Sequence, residues 1–111
     1  MPEVPEDAKK LVGQFQAYQQ QLQSVLIQKE SMKLQSSEIE RALEELGKSK
    51  QKTAYKITGQ IMVSKPISEL KKELNENKEA IDVRLKSLEK TEKKIGDKLK
   101  ELQEKLKEVV K

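Results

Sequence analysis

Few residues in this chain could do covalent chemistry. It has no His and no Cys among its 111 residues, which removes thiolate nucleophiles, His-based triads, disulfides and the usual zinc sites. Gly47-Lys48-Ser49 has the ending of a phosphate-binding loop, but the first glycine of that motif would fall at residue 42, which is Ala42. The tripeptide also follows a helical pattern, whereas a phosphate loop follows a strand. Acidic pairs such as Glu44-Glu45 sit among lysines on a hydrated helix face, with no burial to tune a general acid or base. No catalytic residue, cofactor or metal is expected, and the chain is read as a non-enzyme.

The charge is balanced rather than segregated. Twenty-three basic and 19 acidic residues leave a net +4 and a pI near 9.2. They interleave, as in Lys98, Lys100, Glu101 and Glu104, and only Arg41 and Arg84 break the lysine monopoly. Nucleic-acid binders gather arginine and lysine into a stripe, and lysine suits hydration better than bidentate phosphate recognition. Neither nucleic acid nor membrane is therefore expected as a partner. No apolar run approaches a membrane span, and Met1-Pro2-Glu3-Val4 does not open like a signal peptide. A soluble, cytoplasmic chain is expected.

With 34% hydrophobic and 38% charged residues, one Phe and no Trp, the composition fits a coiled coil or a disordered chain better than a packed globule. Periodicity decides between them. Steps of four and three from Leu11 give Leu11, Phe15, Tyr18, Leu22, Val25, Lys29, Met32, Ser36, Ile39, Leu43 and Leu46, nine of eleven apolar. The same steps from Leu74 reach Lys78, Ile81, Leu85, Leu88, Glu92, Ile95, Leu99, Leu102, Leu106 and Val109, again nine of eleven. A sustained 3.5-residue repeat makes a seam that winds around another helix.

Between the repeats, Gly47 stands where a helix C-cap is expected. Tyr55-Lys56-Ile57-Thr58-Gly59-Gln60-Ile61-Met62-Val63 then reads as a β-hairpin. Pro66 places the start of the second helix near residue 65 or 66. The expected fold is mostly α: a long antiparallel two-helix coiled-coil hairpin with a β-hairpin at its closed end. It is one domain over residues 1–111, with helix one about 6–47, linker and hairpin about 48–64, and helix two about 65–110. An intermolecular bundle of independent helices is the alternative. If Lys29 lies opposite Glu92, the seam polar residues fix the register; a shift of one heptad would instead bring Glu92 near Leu22.

A three-residue loop, Thr58-Gly59-Gln60, would place Ile57 opposite Ile61 and Tyr55 opposite Val63, all on one face. A two-residue loop at Thr58-Gly59 is the other possibility. Two strands alone are marginally stable in water, so this hairpin is expected to join strands from other chains through Tyr55, Ile57, Ile61 and Val63. Folding back on its own helices is the blander reading.

Phe15-Gln16-Ala17-Tyr18-Gln19-Gln20-Gln21-Leu22, Arg41-Ala42-Leu43-Glu44-Glu45-Leu46 and the Tyr55-to-Val63 hairpin, followed by a second long helix, together resemble the archaeal prefoldin family. The single hairpin matches its beta type. The resemblance implies a hexamer of two alpha and four beta subunits whose hairpins build a double β-barrel carrying six coiled coils. It also implies an ATP-independent holdase that captures unfolded polypeptides and delivers them to a group II chaperonin. Clients would bind at the coiled-coil tips. There Val4, Leu11, Val12 and Phe15 on one arm, and Leu106, Val109 and Val110 on the other, exceed a narrow seam. The blander reading is that these residues complete the coiled coil. A structural coiled-coil scaffold and a basic helical nucleic-acid binder are the rival functions.

Overall fold

The structure is a computed structural model that describes residues 6–110. The order of elements is α1 (Glu6–Lys48), β1 (Thr53–Thr58), β2 (Ile61–Pro66) and α2 (Ile67–Val110). Contacts group the chain into two compact units, one of residues 1–30 with 86–111 and one of residues 31–85. Within each of the two units a stretch of α1 lies beside an antiparallel stretch of α2, and the β-hairpin belongs to the unit of residues 31–85.

Both helices are long because the seam, rather than a globular core, gives them their burial. All eleven positions of the α1 repeat are buried or half-buried, and so are ten of the eleven on α2, Val109 being the exception. In the first unit the most enclosed side chains are Ala8 and Val25 of α1 with Leu88, Ile95 and Leu102 of α2. In the second they are Ile67 and Leu70 at the start of α2. Ala8 extends the α1 stepping by one position, and Ile67 lies one full heptad ahead of Leu74. Carboxylates Glu6 and Asp7 open α1 and Glu69 opens α2, where the helix dipole favours negative charge.

Gly47 does not cap α1 as expected. The helix runs through it to Lys48, and Gly59 is the only described glycine with positive φ. The Ser49 N–H still reaches the Glu45 carbonyl at 3.2 Å. The turn follows only at Ser49, whose Oγ accepts the Gln51 N–H at 3.2 Å. Pro66 also behaves differently from expectation. It closes β2 opposite Thr53, and α2 starts at Ile67, whose N–H donates to the Lys52 carbonyl at 2.9 Å. A proline disfavours helical backbone at the residue before it, so Lys65 stays extended and the strand persists through Pro66.

The hairpin register corrects the expected one. Ile57 pairs with Met62, Lys56 with Val63 and Tyr55 with Ser64, around a two-residue loop of Gly59 and Gln60. Gly59 has φ 61° and no described non-glycine residue has positive φ, which is the signature of a type II′ turn with glycine first. A three-residue loop puts its left-handed residue last, at Gln60, where no glycine stands. Tyr55 and Ile57 therefore share one face with Met62. Ile61 and Val63 lie on the other face with Lys56 and Lys65, so the expected apolar quartet is split in two.

Candidate assembly and capture surfaces

The residues singled out from the sequence form two separate sets. At the hairpin, Thr53, Tyr55, Ile57, Met62, Ser64 and Pro66 form a face without a charged side chain. Its apolar members are open: Ile57 is 71% exposed, Tyr55 69% and Met62 64%. Ile61 is equally open on the opposite face, and Val63 less so. Exposed large hydrophobics on a two-stranded sheet with unpaired edges are a surface suited to pairing and stacking with other strands. Met62, absent from the expected apolar quartet, joins Tyr55 and Ile57 on this face. The signal that would have placed it is the Gly-X pair at the loop.

The opposite hairpin face is tied to the chain's own helix. Lys65 donates to Glu73 Oε1 at 2.8 Å, and Lys56 donates to Glu73 Oε2 at 3.1 Å. Glu69 also lies 3.9 Å from the Lys65 ammonium. The bonds from Lys65 and then Lys56 hold the Glu73 carboxyl below the ordinary carboxylate range, and the bond to Glu73 raises Lys65. Behind them lies an open cavity of about 370 Å³ lined by Ala42, Leu46, Ala54, Leu70 and Leu74, with Glu73 on its wall.

The second set belongs to the other unit. Leu11, Phe15 and Leu106 are half-buried, consistent with their seam positions, whereas Val12 is 41% and Val109 36% exposed. Val4 lies outside the described residues, as does the side chain of Val110. Leu26 and Ile27 are further exposed apolar residues of this unit, and Leu34 and Val83 are the equivalents in the unit of residues 31–85. None of these four falls on the seam stepping, so periodicity does not single them out. Also here, the Lys29 ammonium donates to the Glu92 carboxylate at 2.7 Å. That bond, its main cause, raises the Lys29 pKa.

The remaining charges behave as a hydrated surface. Lys9–Glu6, Lys48–Glu44, Lys98–Glu101 and Lys105–Glu101 pair one turn apart along their own helices, and Lys78 reaches Glu40 of α1 at 2.9 Å. Among the described residues no group of acidic side chains could hold a metal ion, and no helix is long and apolar enough to cross a membrane.

Comparison with known proteins agrees with this architecture. Residues 9–111 match the prefoldin subunit family. The chain is 40% identical over 87 residues to the prefoldin subunit beta of Archaeoglobus fulgidus, covering 78% of this chain and 75% of the relative. It is 38% identical over 86 residues to that of Thermococcus onnurineus, covering 77% and 74%. The crystal structure of the prefoldin beta subunit from Thermococcus strain KS-1 superposes with a TM-score of 0.87 at 36% identity, over 97% of this chain and 96% of the other. The chain belongs to the prefoldin family of chaperone subunits, with archaeal beta subunits among its relatives.

Proposed function

We propose that this chain is the beta-type subunit of an ATP-independent holdase that works in the cytoplasm and catalyses no reaction. Four copies would join two alpha subunits through their hairpins. The assembled coiled-coil tips would bind unfolded polypeptides and pass them to a group II chaperonin. The observation that carries this reading is the uncharged hairpin face of Tyr55, Ile57 and Met62, left open to water in a chain that belongs to the prefoldin family. An apolar face of this kind on a sheet with free edges is stable in water once other strands cover it.

Capture at the tips is supported by Val12 and Val109, exposed apolar residues of a unit that also exposes Leu26 and Ile27 among its charged and glutamine side chains. Gly13 and Gly96 lie within the helices of this unit, and a Cβ at either would meet open space. Neither glycine is required for packing, and each loosens its helix by ~1 kcal/mol relative to Ala. A surface that adapts to many clients gains from such looseness, and several tips acting together gain avidity.

The test is mass measurement of the chain alone and mixed with an archaeal alpha-type prefoldin subunit. A mixed complex with the mass of two alpha and four beta chains is expected. A chain that stays monomeric at all ratios would contradict the reading.

A further inference from the structure

We propose that Glu73 is a positioning residue: its carboxylate grips both strands of the hairpin at once and so sets which hairpin face is offered for docking. Its functional meaning rests on the assembly reading above, but the geometry stands independently of it. Lys56 pairs with Val63 and Lys65 with Ala54 across the ladder, which puts one lysine from each strand on the same face. Glu73 projects from the second turn of α2 and gives one oxygen to each, Oε1 to Lys65 and Oε2 to Lys56.

A single exposed ion pair rarely fixes geometry, because it is screened and costs side-chain entropy. Two pairs converging on one carboxylate act differently. The Ile67 N–H bond to the Lys52 carbonyl already joins the hairpin base to α2, so the strands can still pivot there. Attachment of both strands to one point beyond the pivot removes that rotation. Apolar packing is poorly placed to do the same, because the hairpin and the helices enclose the open cavity between Ala42, Leu46, Ala54, Leu70 and Leu74 instead of closing on it.

With Lys56 and Lys65 held to α2, the uncharged face stays open at Ile57 and Met62, while Tyr55 borders the cavity and Ile61 is the open residue of the tethered face. Glu69 on the same helix lies near Lys65 alone, and Glu45 of α1 lines the cavity together with Glu73. Neither bonds Lys56, so loss of Glu73 releases β1 first.

The chain has no cysteine, so spin labels at Gln60→Cys and Glu79→Cys report one distance between hairpin and α2. The labelled full-length chain is diluted into unlabelled chain and measured by electron–electron dipolar spectroscopy, with no client or alpha subunit present. One narrow distance distribution is expected, lost to a broad one in Glu73→Gln. Lys56→Gln with Lys65→Gln should give the same broadening and add nothing to Glu73→Gln. The otherwise unsubstituted labelled chain should itself broaden as salt rises toward ~1 M, where screening falls to a few ångströms. Superimposable distributions at low salt, or lysine and glutamate effects that simply add, would overturn the proposal. The salt series decides it even where a variant folds poorly, and no arm of the experiment depends on chaperone activity.

Discussion

Lys29 and Glu92, the two charged residues nearest the middle of the two seams, bond to each other at 2.7 Å between α1 and α2. Each interrupts a mainly apolar repeat, as Ser36 and Lys78 do elsewhere on the same seams, and each would be poorly placed against a leucine. Partly enclosed ion pairs of this kind contribute little net stability, yet they penalise alternative registers. The heptad-shifted arrangement, with Glu92 near Leu22, would leave Lys29 without this partner.

Lys29→Glu and Glu92→Lys should each lower the melting temperature followed by circular dichroism, and the double exchange should recover most of the loss. Lys29→Leu with Glu92→Leu should melt higher than the unsubstituted chain. Equal melting of all the single variants and the parent would show that the pair does not discriminate registers.

The pH profile of stability follows from which groups are shifted. Lys29, Lys65 and Lys78 are raised above the ordinary lysine value of 10.5, so their contribution is complete below it and disappears as pH climbs through the raised values. Glu73 and Glu101 are lowered below the ordinary 4.5, so theirs is complete above it and disappears as pH falls through the lowered values. No histidine titrates in between. The melting temperature should be nearly flat from about pH 6 to 9 and fall on both sides. A step near neutrality would contradict this.

The hairpin register makes its own prediction. Ile57 and Met62 are direct cross-strand neighbours on the uncharged face. Replacing both with Lys would set like charges opposite each other and place them inside any sheet stacked on that face, at several kcal/mol for each desolvated ammonium. Mixed with alpha subunits, the double variant should fail to form the large complex while staying largely helical. A native-sized complex would sink the assembly role of this face.

The heptads, both helices and the existence of the hairpin were legible in the sequence because each depends on a local period or a local propensity. Lys29 and Glu92 offer one register in the sequence beside a heptad-shifted one, and the 2.7 Å bond between them selects the first. The hairpin alignment is not legible there, because it depends on which loop residue takes positive φ, and Gly59 fits more than one loop length. Gly47 illustrates the opposite problem, a glycine in a capping position that the helix runs through. The Glu73 grip was invisible because it joins residues from three elements. The tip residues remain a reading of exposure, since Leu11, Phe15 and Leu106 are half-buried in the seam and Val12 and Val109 are the more open ones.

Val12→Ser with Val109→Ser should therefore separate capture from assembly. Both side chains are exposed, so complex size and melting should be nearly unchanged. Contact with an unfolded client should weaken by about 1 kcal/mol at each tip, from the loss of apolar area, and the losses multiply across tips acting together. Unaltered client protection would move the capture surface elsewhere, for instance toward Ile27.

Nucleotide-free holding of unfolded chains is read directly by light scattering. A chemically denatured client protein is diluted into buffer with the assembled alpha–beta complex, with and without ATP, and its aggregation is followed. Scattering should be suppressed at near-stoichiometric complex, and ATP should make no difference. Unsuppressed scattering, or suppression that appears only with ATP, would contradict it.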